Sequence, residues 1–261
     1  MRLFDSHCHI DDPCYEKDLE LIFERMEAAE VQAVMIAGVT LNTLKRAIAI
    51  AEKKENVYVS AGVHPHDAST CSEEMLEEMR SLASNPKVRA WGETGLDFNR
   101  MFSPEKDQEK WLVRQIETAA MLSLPMIFHE RDSNGRFIDI LKAHFKPENR
   151  GVVHCFSGTR KELETYLSLG LYIGVTGVLT IKNRGIELRK LVNYIPDDQI
   201  LIETDAPYLT PAPQKNQTRR NEPAFVRSTF LKLAEIKNEY PDILAEKLWN
   251  NTCSLFQVTP S

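Results

Sequence analysis

Short apolar runs, rich in β-branched residues, recur along the chain and alternate with amphipathic stretches. Their length and composition are typical of buried β-strands. Eight runs are predicted as strands: Leu3–Ile10, Ala33–Val39, Val57–Val63, Val88–Gly92, Met126–His129, Val152–Cys155, Tyr172–Val175 and Ile200–Thr204. The alternation predicts repeated strand–helix units and therefore a parallel sheet.

The segments between these runs carry apolar residues at helical spacing. They are predicted as helices over Lys17–Ala29, Leu41–Lys53, Ser72–Ala83, Phe137–His144, Lys161–Leu169, Ile186–Tyr194, Ala224–Asn238 and Ile243–Phe256. A further helix is predicted to begin with Ser103 as its N-cap and Pro104 at its first position. The long irregular segment Ala206–Pro223 follows the eighth strand, and loops of that length are more often functional than idle.

Eight parallel strands can close into a barrel or form an open, doubly wound sheet. The sequence lacks the glycine-rich fingerprint of a dinucleotide-binding open sheet. Candidate ligands follow the first, fourth, fifth, sixth and eighth strands, and they can meet only if the sheet closes. We therefore predict a TIM (β/α)8 barrel that comprises residues 1–261 as one domain, with its site at the C-terminal ends of the strands.

Composition narrows the class of protein. The apolar fraction of 43% and the charged fraction of 27% are ordinary for a globular chain. The five cysteines are an odd number without a paired framework, which is more typical of a reducing compartment than of secretion. The first motif leaves no room for a signal peptide. The apolar stretches are well below the roughly 20 residues that span a bilayer. We expect a cytoplasmic protein that does not associate with membranes. The formal charge of −6 argues against a broad nucleic-acid-binding surface but leaves a nuclease open, since bound cations would supply local positive charge.

Histidines and carboxylates cluster at the predicted strand ends. The strings are Asp5-Ser6-His7-Cys8-His9, Gly92-Glu93-Thr94-Gly95-Leu96-Asp97, Phe128-His129-Glu130, Val153-His154-Cys155-Phe156-Ser157-Gly158 and Glu203-Thr204-Asp205-Ala206-Pro207. Residues two apart share a face of a strand, so His7 and His9 can bind one ion at the barrel mouth. Together the strings predict a single metal centre.

Each of the other donors has a predicted role in that centre. Glu93 ends the fourth strand, where its two oxygens can bridge two divalent ions, and His129 and His154 can supply nitrogen ligands to the second ion. Asp205 ends the eighth strand, which lies beside the first strand once the barrel closes. Asp205 can therefore reach the ion bound by His7 and His9 and act as general base toward a water on that ion. Imidazole-rich ligation suits zinc or manganese, whereas the carboxylates leave magnesium open.

Further residues are predicted to support the centre. His64, in Gly62-Val63-His64-Pro65-His66-Asp67, can hydrogen-bond a substrate phosphate or donate to the leaving group, or it is a structural residue of a rigid proline turn. Asp97 and Arg131 are predicted to orient ligands and contact phosphate. Glu203 shares the strand face of Asp205 but lies deeper, which favours an interior structural partner.

Strand alternation places the thiols of Cys8 and Cys155 away from the mouth, so both are predicted to fill the core. His144, within a helix, is predicted to be exposed. Basic residues follow the later strands and predict a phosphate-binding rim: Arg100, Arg131, Arg160, Lys161, Lys182, Arg184, Arg219 and Arg220.

These strings, in this order, resemble the TatD family of metal-dependent hydrolases, bacterial TatD-type deoxyribonucleases in particular. The resemblance runs from Phe4 to about Phe256 and includes Gly-Val-His-Pro-His-Asp (62–67), Gly-Glu-Thr-Gly-Leu-Asp-Phe-Asn-Arg (92–100), His-Cys-Phe-Ser-Gly (154–158), Glu-Thr-Asp-Ala-Pro-Tyr-Leu (203–209) and Arg-Asn-Glu-Pro (220–223). It implies a TIM barrel of the amidohydrolase type, two divalent metal ions and exonuclease-like DNase activity. It assigns the metal positions to His7, His9, Glu93, His129, His154 and Asp205.

The expected substrate is single-stranded DNA or a DNA end, because a stiff duplex would have to fray to reach the floor of a deep mouth; RNA is a further candidate. Its phosphates are expected to contact Arg131 and Arg219 or Arg220. The same centre could instead hydrolyse an amide or an ester, such as aminoacyl-tRNA. A non-enzymatic, nucleic-acid-binding barrel with a structural metal site is disfavoured, because structural zinc sites are closed whereas six ligands over two ions leave room for water. No obligate protein partner is evident in the sequence.

Overall fold

The computed structural model describes residues 1–260 and contains a parallel sheet of eight strands in chain order. The strands are β1 (Leu3–Cys8), β2 (Val31–Gly38), β3 (Val57–Ala61), β4 (Val88–Asp97), β5 (Met126–Arg131), β6 (Gly151–Val153), β7 (Tyr172–Val175) and β8 (Ile200–Ile202). All eight predicted strands are present. β4 is longer than predicted because its pairing with β5 continues to Asp97. β1, β6 and β8 end earlier, which leaves His9, His154 and Asp205 in the segments that follow them.

The sheet closes on itself between β8 and β1. The Asp205 N–H donates to the His7 carbonyl (2.9 Å), and the His9 N–H donates to the Ala206 carbonyl (2.7 Å). Cys8 and Ala206 form a parallel bridge at the same place. The predicted TIM (β/α)8 barrel is therefore confirmed, and closure brings the C-terminal end of β8 beside that of β1.

Helices surround the barrel. They are α1 (Leu19–Ala28), α2 (Leu41–Ala51), α3 (Glu73–Leu82), α4 (Glu105–Leu122), α5 (Arg136–His144), α6 (Arg160–Ser168), α7 (Ile186–Leu191), α8 (Val226–Lys237) and α9 (Pro241–Phe256). The predicted cap of α4 is wrong. The Ser103 hydroxyl donates to the His66 carbonyl (2.8 Å) and accepts from the Ser69 N–H (2.9 Å), so it is not free to cap the helix. Within residues 1–260, the helices are too short or too polar to cross a membrane.

Two apolar cores stabilise the barrel. The larger lies between the strands and the surrounding helices. The smaller fills the lower interior of the barrel and contains Phe4, Met35 and Ile127. Trp249 and Phe256 of α9 pack against Phe4, with ring centroids 5.9 Å and 6.4 Å away. This filling leaves the C-terminal ends of the strands as the place for a polar site.

Candidate metal centre

Glu93 enters the centre through a bulge in β4. The ladder with β5 pairs Gly92 with Ile127 and Thr94 with Phe128, so Glu93 is the extra residue between them. A bulge re-aims the side chain at its position. Glycine is required beside it, since Gly92 has a φ of +139° and a Cβ there would lie 2.2 Å from the Ile127 carbonyl oxygen.

His7 enters the centre from a similar irregularity in β1. Between Asp5 and Cys8 this strand has one residue more than β2. The Asp5 carboxylate fixes the segment by accepting from the Thr204 N–H (2.8 Å) and hydroxyl (2.6 Å). Cys8 points away from the mouth, as predicted, and its thiol donates to the Met35 carbonyl (3.4 Å).

The two oxygens of Glu93 face two groups of imidazoles. Oε2 lies 3.3 Å from His7 Nε2 and 3.8 Å from His9 Nε2. Oε1 lies 2.7 Å from His129 Nδ1 and 2.9 Å from His154 Nε2. A carboxylate that bridges two cations requires this placement.

Asp205 adds a second carboxylate to the first group. Its Oδ1 lies 3.5 Å from His9 Nε2 and 3.7 Å from His7 Nε2. The Nε2 atoms of these two histidines are 3.3 Å apart. The Asp205 side chain is 15% exposed against 4% for Glu93, so Asp205 is the carboxylate that a ligand in the mouth can reach.

Two outer carboxylates lie beside the histidines of the second group. Asp97 Oδ2 lies 3.2 Å from His129 Nε2, and Glu203 Oε1 lies 3.3 Å from His154 Nδ1. The other ring nitrogen of each histidine faces Glu93. The hydrogen bond with Asp97 orients His129 as outer partners of metal ligands do, whereas Glu203 lies at ion-pair distance from His154 without hydrogen-bond geometry. Glu203 is fully buried, as expected of an interior partner.

His64 reaches the second group with a different hydrogen-bond pattern. Its Nδ1 accepts from the His66 N–H (3.0 Å), so the neutral ring carries its proton on Nε2. That Nε2 lies 3.3 Å from Glu93 Oε1. Burial lowers the pKa of His64 to about 4. The ring is therefore neutral near pH 7 and presents a hydrogen-bond donor to the centre.

Burial and charge determine the ionisation of the carboxylates. Burial raises the pKa of Glu93, but the surrounding imidazoles, His154 foremost, outweigh burial and hold this pKa well below its ordinary value. Burial also raises the pKa of Asp205, and the hydrogen bond with His9 and the nearby imidazoles bring it below its ordinary value. Both carboxylates are consequently ionised at neutral pH.

The donor atoms suit divalent cations. In three sets the ligand atoms lie within 4.8 Å of one another: His7–His9–Glu93, His7–His154–Asp205 and His64–Glu93–His129. Mixed imidazole and carboxylate donors bind zinc and manganese and are compatible with magnesium. The buried His7 Nδ1 has no hydrogen-bond partner among residues 1–260, and the Nε2 of this ring faces Glu93.

The donors other than His7, which is fully buried, line a cavity of about 1130 Å³. Its wall carries arginines whose guanidinium groups have no ion-pair or hydrogen-bond partner within the described part of the chain: Arg100, Arg131, Arg184 and Arg219. By contrast Arg46, also on the wall, lies 3.4 Å from Asp11. Guanidinium groups without partners, facing a cavity, are suited to bind phosphate or carboxylate groups.

Comparison with known proteins identifies the family. Residues 4–257 match the family model described as TatD related DNase. The chain belongs to the TatD family. It is 38% identical to the protein named 3'-5' ssDNA/RNA exonuclease TatD of Escherichia fergusonii, over 98% of this chain and 100% of that protein. It is 40% identical to the protein of the same name from a Rahnella species, over 98% of this chain and 99% of that protein.

Solved structures agree with membership of the TatD family. The crystal structure of YJJV, a TatD homolog from Escherichia coli K12, matches with a TM-score of 0.91 at 32% identity and covers 99% of both chains. A phosphotriesterase homology protein from Escherichia coli matches with a TM-score of 0.65 at 14% identity, over 98% of this chain and 99% of that one, and shares the fold alone. This TatD-family chain is therefore a hydrolase, and its family uses divalent metal ions.

The structure brings together all the residues that the TatD resemblance assigned to the metal positions: His7, His9, Glu93, His129, His154 and Asp205. Asp97 also lies beside them, and Arg131 lines the cavity. His144 is exposed, as predicted.

Several predictions about the surroundings are wrong. Of the predicted phosphate-binding rim, Arg160, Lys161 and Lys182 do not line the cavity, and Arg160 pairs with Glu164 (2.8 Å). Arg220 does not line the cavity, because Asp18 holds its guanidinium through two contacts (2.6 and 2.8 Å) and the Tyr15 ring lies 4.9 Å from it. The neighbouring Arg219 lines the cavity instead. Cys155 lines the cavity rather than the core, because its φ of +48° breaks the alternation of the strand before it.

Sequence analysis missed three residues of the site. His66 lies 2.8 Å from Asp97, and its signal was the second histidine of the string that contains His64. Phe102 and Tyr208 line the cavity on the segments after β4 and β8. An aromatic residue just beyond each of these strand ends was the available signal for both.

Proposed function

We propose that this chain, as one catalytic domain, is a metal-dependent 3′–5′ exonuclease that acts on single-stranded DNA and RNA. The observation that supports the proposal is the pairing of Glu93, which faces two donor groups, with unpartnered guanidinium groups on the wall above it. The names of its TatD relatives support the polarity and the single-stranded substrate.

We assign the donors to two divalent cations. His7, His9 and Asp205 would hold one with Glu93 Oε2, and His129 and His154 would hold the other with Glu93 Oε1. When bound, the cations supply positive charge that makes water more acidic and offsets the negative charge of the phosphoryl oxygens. Zinc, manganese and magnesium all suit this mixed donor set.

Asp205 is the proposed general base. Its pKa below the ordinary value keeps the carboxylate ionised and able to accept a proton at neutral pH. Its partial exposure supports this role, because a water in the mouth can reach the carboxylate. His64 directs its Nε2–H toward the centre, so we assign it a hydrogen bond to a phosphate oxygen rather than a place among the metal ligands.

The four unpartnered arginines would contact phosphates on either side of the scissile bond. A guanidinium group without a protein partner gives up no existing ion pair when it binds phosphate. The central donors Glu93 and His154 are buried at the cavity wall, and a single strand can reach them without separating base pairs. This geometry favours a strand end over a duplex or an internal bond.

The test is release of nucleotides from end-labelled single-stranded DNA after metal removal and after re-addition of magnesium, manganese or zinc. We expect activity to disappear with the metal, return on re-addition and proceed stepwise from the 3′ end. A circular single strand is the matched control and should resist cleavage. Equal cleavage of circle and linear strand, or faster hydrolysis of an aminoacyl-tRNA ester or a simple amide, would overturn the proposal.

A further inference from the structure

Two large aromatic side chains are exposed on the wall of the cavity. Phe102 is 66% exposed and Tyr208 is 57% exposed, and both line the cavity that contains the metal donors. The other strongly exposed large apolar side chains of residues 1–260, such as Tyr240, lie outside that cavity. Exposed apolar surface beside a polar site often marks a binding surface.

The backbone beside Phe102 is fixed by a buried residue. Ser103 is fully buried, and its hydroxyl donates to the His66 carbonyl (2.8 Å) and accepts from the Ser69 N–H (2.9 Å). The Phe102 ring stands edge-on to the His66 ring, with centroids 4.7 Å apart at 87°. The exposed ring therefore stands on a rigid support.

The backbone at Tyr208 is fixed in a comparable way. Asn221 is fully buried, and its Nδ2 donates to the carbonyls of Tyr208 (2.6 Å) and Thr204 (2.9 Å). The Tyr208 N–H donates to the Asp205 carbonyl (2.8 Å). The Tyr208 ring lies 6.0 Å from the His9 ring at an angle of 70°. This second exposed ring is also held in place.

The two rings adjoin different donor groups. Phe102 is linked to Glu93 Oε1 through His66, Asp97 and His129. Tyr208 adjoins His9, which faces Glu93 Oε2. Phe102 follows β4 and Tyr208 follows β8, and these strands lie four apart in the closed eight-stranded sheet, so the two segments lie on opposite sides of the barrel mouth. A phosphodiester reacting at the Glu93 carboxylate has one nucleoside on each side.

We propose that Phe102 and Tyr208 are base-stacking platforms, each of which binds one of the two nucleobases that flank the scissile phosphodiester. The proposal rests on the exonuclease function proposed above and adds where the bases lie. Stacking on an aromatic ring tolerates any base, because every base has a π-face. The platforms would therefore hold the strand end over the centre without sequence preference.

The test uses single strands that lack one base. A tetrahydrofuran residue replaces the 3′-terminal nucleoside, the penultimate nucleoside or, as a control, a nucleoside several positions inside the strand. Wild-type kcat/KM for the first cleavage should fall about 5- to 100-fold for each of the first two strands and stay unchanged for the control strand.

The variants are Phe102→Leu and Tyr208→Leu, which keep apolar bulk and remove the ring. Each should cleave the intact strand more slowly and lose its sensitivity to one missing base, a different base for each variant. Phe102→Tyr and Tyr208→Phe, which keep an aromatic ring, should retain the sensitivity to each missing base. Tyr240→Leu is the matched control, because Tyr240 is 77% exposed away from the cavity, and it should match the wild type on every strand.

Equal slowing of all strands by Phe102→Leu or Tyr208→Leu would overturn the proposal, as would sensitivity to missing bases that both variants retain. Loss of sensitivity to the same base in both variants would contradict the opposite placement of the rings. A wild-type enzyme that releases no nucleotide from the intact strand with any of the metals would instead overturn the exonuclease function. The two failures are therefore distinguishable.

Discussion

Gly174→Ala tests whether Glu203 holds His154 in place. Gly174 lies on β7, and a Cβ at this position would lie 2.6 Å from Glu203 Oε2 and 2.8 Å from its Cδ. The Glu203 carboxylate is fully buried, accepts from the Cys155 N–H (2.5 Å) and lies 3.3 Å from the Ser6 hydroxyl. It therefore has little room to move away from an added methyl group.

The expected cost has two parts. Adding a methyl group to a packed interior lowers the free energy of unfolding by about 1–3 kcal/mol. Displacing an outer carboxylate from a ligand histidine lowers metal affinity by about 10- to 100-fold. Gly174 does not have a positive φ, so backbone strain adds nothing to either part.

The assay combines urea unfolding of the metal-free protein with a metal titration. Gly174→Ala should lose both stability and metal affinity. Adding Glu203→Asp, which shortens the acid by one methylene, should recover most of the stability but not the affinity, because the shorter acid no longer reaches His154. Wild-type metal affinity in Gly174→Ala, or a double variant no more stable than the single one, would refute the reasoning.

Further predictions concern the donors, the arginines and one thiol. Glu93→Ala should lower metal content at both donor groups, and full content by elemental analysis would remove Glu93 from the centre. Asp205→Asn should lower kcat by about 10²–10⁴ with little change in KM; near-normal turnover at saturating substrate would make Asp205 a bystander. Arg219→Ala should weaken single-stranded DNA binding and reduce the slope of log binding constant against log salt concentration by about 0.7. Arg220→Ala should leave that slope unchanged. The opposite pattern would show that Arg220, rather than Arg219, contacts the substrate. Cys14 is exposed, but local desolvation and the hydrogen bond and negative charge of Asp12 raise the pKa of its thiol to about 12. Iodoacetamide at pH 8 should therefore alkylate this thiol more slowly than free cysteine, and an equal rate would contradict the shifted pKa.

The fold and the donor residues could be predicted because both depend on local pattern. Apolar runs at regular intervals specify the strands, and the C-terminal ends of barrel strands converge whatever the sequence between them. His7, Glu93 and Asp205 follow such runs, so their meeting required only that the sheet close. The structure bears out that closure.

The wrong predictions depend on contacts that local pattern does not encode. Arg220 is withheld from the cavity by Asp18, a residue far away in the sequence. Cys155 reaches the cavity because the backbone turns to positive φ just after β6, where alternation ceases to apply. The role of His64, which the sequence left open, depends in addition on which ring nitrogen receives the His66 N–H, and sequence does not contain that choice.

The bulge in β4 interrupts the regular pairing of the sheet and supplies a functional side chain at the same position. Without the extra residue, β4 and β5 would pair in an unbroken ladder, and the barrel would still close. Such a strand would be the simpler solution for anyone redesigning this scaffold toward ideal geometry. It would also remove the carboxylate that faces both groups of imidazoles. A procedure that rewards ideal strands alone would therefore produce a well-formed barrel that cannot bridge two cations.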